Sequence, residues 1–424
     1  MMQLTVPMMG LVDTFFIGRY ADAFAMGGLA VAAETFTILY ALFSFLQMGT
    51  NSLVANASGE RSPDSRGKTL RVLARSVVTA LCIATLLILI RNPVRDVVLG
   101  FIRPDPEALA HAVTYFNIRI FAAPATLSLF SLCGFFIGRG EAMVPFLLIL
   151  VSNVINLAVN SVLVLVFDMG IAGVAYGTVI AQTVACFSGA ALVLFRSRGV
   201  WHNFNPAVFL RNAEFGKLFR VSGDLFLRSV LLTSSFAVFM RLSALQGNSL
   251  LAANNLVLLF WSVAANLLDG FAFAAITFVG RAVGAGDRQE YREYLRRVTA
   301  LSFLVASVMG LIFFFGWPFI VDRMTVYPEI RLASYGLAVW ILMGWVVGNY
   351  AFLWDGIIIG SGDSAIIRVA MLFTCGAFLT LALLTEGQLN NTALWLLFSL
   401  FTLTRGLSQH ILAKKRTKNW FPQP

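Results

Sequence analysis

The sequence predicts an all-α integral membrane protein with about twelve transmembrane helices. Of its 424 residues, 58% are hydrophobic and 12% are charged, whereas soluble domains are about 45–50% apolar and about 25% charged. Apolar runs long enough to cross a bilayer, which takes ~20 residues, recur along the whole chain. The net charge of +10 fits basic cytoplasmic loops better than a nucleic-acid surface, so we expect no nucleic-acid partner.

Twelve apolar runs, broken by Gly, Pro or charged residues, mark the predicted spans. They lie near 4–20, 26–56, 70–90, 109–137, 143–167, 170–195, 216–245, 250–280, 294–321, 332–360, 364–385 and 392–413. A polar stretch between Arg196 and Lys217 separates the first six runs from the last six. This division predicts an N-terminal lobe at 1–196, a connecting loop at 197–215, a C-terminal lobe at 216–413 and a tail at 414–424.

The distribution of basic residues predicts the orientation of the spans. If the N-terminus is cytoplasmic, the loops on that side and the C-terminal tail together carry 21 Lys and Arg residues, and the opposite loops carry seven. Cytoplasmic loops of membrane proteins are enriched in Lys and Arg. We therefore expect both termini to lie in the cytoplasm.

Two sequence motifs recur in the second half of the chain. Gly134–Glu141 (GFFIGRGE) corresponds to Gly356–Asp363 (GIIIGSGD), 222 positions later, and Leu53–Gly59 corresponds to Phe278–Gly284, 225 positions later. An offset of six spans preserves the direction in which the chain crosses the membrane. The two six-helix lobes are therefore predicted to be related by a pseudo-two-fold axis along the membrane normal, with a central cavity for alternating access.

An acidic residue lies within the first predicted span. A charged side chain at the bilayer centre costs about 2.5–3.5 kcal/mol on insertion scales, so Asp13 needs a specific role. Pro7, Gly10 and Thr14 form a small-residue face beside it, and such faces pack against neighbouring helices. We expect Asp13 to point into the bundle, either as a reversible proton or cation site or as a structural hydrogen-bond acceptor.

The fifth span carries three amides on one helix face, at positions i, i+3 and i+7. They are Asn153, Asn156 and Asn160. Amides inside a membrane hold helices together or line a water-filled cavity, and the spacing alone leaves both interpretations open.

The eighth span carries a polar stripe of nearly four turns on an otherwise apolar helix. The stripe consists of Asn255, Ser262, Asn266 and Asp269. Because packing alone does not explain a stripe of this length, we expect it to line a substrate cavity. Asp355 in the tenth span is a second acid of the C-terminal lobe and is assigned to the same cavity.

Other charged residues within the spans are predicted to be structural. Asp224 and Arg228 are four positions apart near the start of the seventh span, where such pairs are neighbours on a helix, so we expect them to neutralise each other. We also expect structural roles for Arg119 and Arg405.

At Leu11–Gly18 (LVDTFFIG) the chain resembles the first-helix motif of the multidrug and toxic compound extrusion (MATE) family. The similarity covers essentially the whole chain, in order, and further segments resemble the DinF-like branch of the family. These segments are FLQMGT at 45–50, DLFLRS at 224–229, LDGFA at 268–272, LWDG at 353–356, LWL at 394–396 and TRGLS at 404–408.

This resemblance implies an antiporter that exports organic, often cationic or amphipathic compounds in exchange for protons or sodium ions. Asp13 matches the family's coupling acid in the first helix, Asn156 matches its Asn in the fifth helix, and Thr178 fits a polar position in the sixth helix. Asn160, which is assigned to the same ion-coupling site, stands where the family often has a second Asp. The N-terminal lobe is thus expected to have one acid at this site.

An exporter of a lipid-linked precursor or of a specific metabolite in the same superfamily is the alternative function. An intramembrane enzyme would need converging catalytic groups, and the three His and four Cys residues are dispersed along the chain. We therefore expect no enzyme, no metal and no organic cofactor. We expect a monomer in the plasma (inner) membrane, with small organic substrates and lipids as its partners.

Overall fold

In the computed structural model, the described residues are 10, 12–17, 19, 23–102, 105–198 and 212–421. Every regular element among them is a helix, as the composition predicts. The chain divides into two compact units, residues 1–218 and 219–424. Pro7, two residues of the Leu11–Gly18 motif and most of the predicted connecting loop lie outside the described residues.

The N-terminal unit contains a short helical segment at residues 12–17, which we call the N-terminal helical segment, and the following longer helices. They are α1 Ala23–Leu42, α2 Phe45–Gly59, α3 Ser65–Leu89, α4 Arg91–Ile102, α5 Pro106–Arg119, α6 Ala123–Gly138, α7 Met143–Leu165 and α8 Gly170–Arg196. α5 continues into α6 through a turn of 3₁₀ helix at Ile120–Ala122. No predicted span corresponds to α4, because its 12 residues include Arg91, Arg95 and Asp96.

The C-terminal unit consists of seven described helices, the first of which begins shortly before the unit boundary. They are α9 Asn212–Ala244, α10 Asn248–Gly284, α11 Arg288–Met324, α12 Pro328–Tyr335, α13 Ala338–Ser361, α14 Ala365–Leu384 and α15 Asn391–Trp420. α15 continues through most of the predicted tail at 414–424. Trp420 at its end is buried, so this part of the chain packs onto the unit.

Among the described residues, ten helical stretches are long and apolar enough to cross a membrane. Two of them combine consecutive helices, Phe24–Gly59 (α1 and α2) and Pro106–Gly138 (α5 and α6). The N-terminal helical segment and α15 lie outside this set of ten. Together with these two, the stretches correspond in order to the twelve predicted apolar runs.

One helix lies at the centre of each unit. α6 packs against α2, α3 and α8, and α13 packs against α10, α11 and α15. Counted by predicted span, the fourth span of each half contacts the second, third and sixth spans of that half. Each unit, taken by itself, therefore has the helix packing that the sequence repeat indicates.

The recurring glycines of the N-terminal unit allow two helices to meet at their backbones. Gly134 and Gly138 of α6 face α2, where a Cβ atom would collide with the carbonyl oxygens of Gln47 and Asn51. Glycines four positions apart in this way are a common surface for close helix packing in membranes.

The C-terminal unit repeats this contact between α13 and α10. A Cβ atom on Gly356 or Gly360 would collide with the carbonyl oxygens of Ala272 and Ile276. The contacted positions in the two units, 47 and 272 as well as 51 and 276, are each 225 residues apart. This is the offset of the second sequence motif, so the repeat encodes one helix–helix contact twice.

Each glycine motif also ends in the same backbone conformation. Gly140 and Gly362 have φ values of 75° and 77°, which glycine adopts without steric cost. The acid that follows pairs with an arginine on the last helix of its unit, at 2.6 Å for Glu141 and 3.0 Å for Asp363.

Candidate functional site

The buried carboxylate of Asp13 is the centre of a polar cluster in the N-terminal unit. Asp13 is 1% exposed. Its Oδ1 accepts hydrogen bonds from Asn160 Nδ2 at 2.9 Å and Asn156 Nδ2 at 3.3 Å. Its Oδ2 accepts from Thr178 Oγ1 at 3.1 Å and Tyr115 Oη at 3.3 Å. Four donors therefore satisfy a carboxylate that would otherwise be costly to bury.

Three packed elements supply these donors. Tyr115 lies on α5, Asn156 and Asn160 lie one turn apart on α7, and Thr178 lies on α8, which packs closely on α7. Gly177 on α8 is part of the arrangement because a Cβ atom there would overlap Asn160 Oδ1. The four residues that sequence analysis assigns to ion coupling are thus within one hydrogen-bonded cluster.

Arg119 belongs to the same cluster, although the sequence analysis gives it a structural role. Its Nη1 donates to Tyr115 Oη and lies 3.9 Å from Asp13 Oδ2. The guanidinium group is above the rings of Phe36 and Tyr115, at 5.1 and 5.5 Å from their centroids. The spacing of Tyr115 and Arg119, four residues apart on a predicted span, is the signal that could have identified both.

The small-residue face of the N-terminal helical segment does not pack as predicted. Gly10 and Thr14 are exposed, and the Thr14 hydroxyl donates to the carbonyl oxygen of Gly10 at 2.8 Å. The buried face instead carries Asp13, Phe16 and Ile17. The large apolar side chains bury more surface than the small ones, so they determine which face of the segment turns inward.

The C-terminal unit holds a second buried carboxylate, but its partners are charged. Asp355 is 2% exposed, and its Oδ2 accepts from Arg228 Nε and Nη2 at 2.9 and 2.6 Å and from Arg405 Nη2 at 2.8 Å. Its Oδ1 accepts from Gln409 Nε2. We call these four residues the Asp355 cluster.

The predicted pairing of Asp224 with Arg228 is wrong. Asp224 instead accepts hydrogen bonds from Ser364 Oγ at 2.7 Å and from Arg368 Nη1 at 2.8 Å. Arg228 pairs with Asp355, because α13 places this carboxylate within hydrogen-bonding distance of the guanidinium group.

The predicted polar stripe of α10 lies on an accessible side of the helix. Asn255 is exposed, and Asn266 and Asp269 are half-buried. The Asn266 amide donates to the carbonyl oxygen of Ser262 at 2.8 Å. Asp269 lies within the electrostatic range of Arg228, Arg405 and Asp355. The assignment of these residues and of Asp355 to a substrate cavity stays a prediction.

A buried amide next to the stripe is structural. Asn254 Nδ2 donates to Ser243 Oγ and Asn391 Oδ1, both at 2.7 Å. Its Oδ1 accepts from Trp395 Nε1 at 2.7 Å. Asn254 therefore ties α10 to α9 and α15.

The described residues contain no group of three or more His, Cys, Asp or Glu side chains that could hold a metal ion. They contain buried carboxylates in two settings. Asp13 accepts from four neutral donors and lies 3.9 Å from Arg119, whereas Asp355 and Asp224 accept hydrogen bonds directly from arginines. The chain has long apolar helices and two units that repeat one packing scheme, and each unit holds a buried acid. This is the architecture of a polytopic membrane protein of the secondary transporter class.

The chain belongs to the MatE family, whose model matches residues 1–162 and 225–383. This match confirms the resemblance found in the sequence. The protein is therefore a multi-pass membrane transporter of the multidrug and toxic compound extrusion family.

Known proteins resemble the chain over most of its length. DNA damage-inducible protein F of Escherichia coli K12 is 31% identical over 422 residues, which cover 99% of this chain and 91% of the relative. Multidrug export protein MepA of Staphylococcus aureus is 23% identical over 263 residues, or 60% of this chain and 57% of MepA. A mutant of the MATE transporter VcmN from Vibrio cholerae has the same fold, with a TM-score of 0.84 and 20% identity over 100% of this chain and 95% of VcmN.

Proposed function

We propose that the protein is a proton-coupled antiporter that exports organic, often cationic or amphipathic compounds, with Asp13 as the coupling acid. The observation that carries this proposal is the burial of the Asp13 carboxylate among four neutral donors. The similarity to MepA, a multidrug export protein, supports the class of substrate. The excess of basic residues in alternate loops supports a cytoplasmic position for both termini.

Protonation of Asp13 would change how the N-terminal helical segment is held. Hydrogen bonds to a charged group contribute about 1.5–3 kcal/mol each, and bonds between neutral groups about 0.5–1.5 kcal/mol. A proton on Asp13 would therefore weaken the links from this segment to α5, α7 and α8. Uptake of a proton on one side of the membrane and release on the other can in this way alternate two arrangements of the segment.

The energy of one proton is sufficient for useful export. A proton that moves down ~150 mV supplies roughly 3.4 kcal/mol, at about 2.3 kcal/mol per 100 mV. This energy supports a gradient of about 300-fold for a neutral substrate, because each 1.4 kcal/mol corresponds to a factor of ten. One coupling acid in the N-terminal unit is therefore enough for the proposed reaction.

The test is transport by the purified protein in lipid vesicles. Ethidium serves as the cationic probe, and an imposed pH gradient is the only driving force. Asp13→Asn removes the titratable group with little change in volume, so we expect a folded protein without pH-driven accumulation. Asp168→Asn, the same change at an exposed acid, is the matched control and should retain transport. If Asp13→Asn vesicles still accumulate ethidium in response to the gradient, the coupling site is not Asp13.

A further inference from the structure

Arg119 places a permanent positive charge inside the Asp13 site. Its side chain is 14% exposed, and its Nη1 lies 3.9 Å from Asp13 Oδ2. The Tyr115 hydroxyl joins the two groups, since it accepts from Arg119 and donates to Asp13. Among the described residues, Arg119 is the charged side chain that lies within 4.0 Å of the Asp13 carboxylate.

We propose that Arg119 keeps sodium ions out of the Asp13 site. The inference rests on the proposed function, because it assigns the ion that the coupling acid exchanges. Arg119 acts through the carboxylate and is thus a specificity-determining residue, with the Phe36 and Tyr115 rings and the Tyr115 hydroxyl fixing its position.

The groups around the carboxylate include the oxygen atoms that a metal cation needs. Hard cations are bound by several oxygen atoms. The hydroxyl groups of Tyr115 and Thr178 and the amide nitrogens of Asn156 and Asn160 donate to Asp13, and Asn160 Oδ1 is buried without a hydrogen-bond partner among the described residues. A proton adds to the carboxyl group itself and needs no shell of ligands.

The charge of Arg119 weakens the binding of a sodium ion at the carboxylate. A metal ion on the far side of the carboxylate would lie ~6 Å from the guanidinium group, which reduces its binding about a hundredfold at an effective dielectric constant of ~20. A site half-filled at ~1 mM Na⁺ without the arginine would then need ~100 mM. Arg119 disfavours protonation of Asp13 as well, but burial of the carboxyl group favours its neutral, protonated form and opposes this effect.

The experiment is a sodium titration of the purified full-length protein in detergent, with thermal unfolding as the readout. Each variant is compared in equal concentrations of NaCl and KCl, so that general salt effects cancel. The variants are Arg119→Gln, which removes the charge, Arg119→Lys, which retains it, and Arg119→Gln combined with Asp13→Asn. Arg119→Met is a second neutral variant, in case the glutamine variant does not yield a monodisperse protein.

The wild type and Arg119→Lys should unfold at the same temperature in both salts. Arg119→Gln should be stabilised by Na⁺ specifically, at a concentration about a hundredfold lower than any effect on the wild type. The double variant should lose this response, because the carboxylate that binds the ion is gone. A general loss of stability would not produce a response that depends on Na⁺ and on Asp13.

Two results would overturn the inference. One is a sodium response of the wild type that Asp13→Asn abolishes, and the other is a folded Arg119→Gln or Arg119→Met protein without any sodium response. Failure of the proposed function is a separate result, since it appears as pH-driven accumulation by Asp13→Asn vesicles, which the titration does not measure.

Discussion

Replacement of Asp355 with Asn should destabilise the C-terminal unit severely. The substitution keeps the shape of the side chain but leaves the guanidinium groups of Arg228 and Arg405, which are 6% and 3% exposed, without the carboxylate that they contact directly. Removal of one member of a buried ion pair costs about 3–5 kcal/mol. For a unit of this size, 1 kcal/mol corresponds to about 2–4 °C, so the unfolding midpoint should fall by roughly 6–20 °C.

A charge-balanced double variant separates this reasoning from a simple loss of packing. Asp355→Asn combined with Arg405→Met removes one charge of each sign, and its unfolding midpoint should lie between those of the single variant and the wild type. The measurement is thermal unfolding of the purified proteins in one detergent. If Asp355→Asn unfolds within about 2 °C of the wild type, the loss is below ~1 kcal/mol and the Asp355 cluster is not a structural element. If that stable variant also loses ethidium transport, Asp355 acts in the substrate cavity.

Three further predictions concern the coupling site, the substrate cavity and the orientation. Gly177→Ala should displace the Asn160 amide from the Asp13 carboxylate and reduce pH-driven transport several-fold. The control Gly223→Ala, where a Cβ atom meets nothing within 4 Å, should transport normally, and equal rates of the two variants would exclude the steric effect. Asp269→Asn should slow transport of cationic substrates more than that of neutral ones, because it removes one charge attraction, and an equal effect on both would argue against cavity lining. A reporter fused after Lys418 should report a cytoplasmic position, and a single cysteine placed within 322–331 should be labelled from outside the cell. The opposite pattern would show that the predicted topology is reversed.

The cluster around Asp13 could be predicted because its signal in the sequence is local and rare. An acid inside an apolar span stands out against its cost in the bilayer, and Asn156 and Asn160 share a helix face by their spacing. The structure brings them together around Asp13. The glycine repeat was also readable, because close backbone contact leaves glycine as the residue that fits.

The partners of the buried charges could not be read from the sequence. Arg228 has an acid on its own helix one turn away, yet it pairs with Asp355, 127 positions along the chain. Spacing along a helix shows which residues are neighbours on that helix, but not which acceptor an adjacent helix brings. The same limit explains why Asn255 was assigned to the cavity while the buried amide next to it, Asn254, makes the helix-bridging contacts.

The two units share a packing scheme but bury their charges differently, and this difference favours Asp13 as the group that changes charge. Asp355 makes direct hydrogen bonds to two arginines, so its protonation would leave two guanidinium groups without a counter-charge. Asp13 has one arginine, which lies 3.9 Å away without a direct hydrogen bond, and four neutral donors that tolerate either charge state. The cost of protonation is therefore lower in the N-terminal unit. Under the proposed function we therefore expect the exchangeable proton at Asp13, and we expect the Asp355 cluster to hold the helices around it in place.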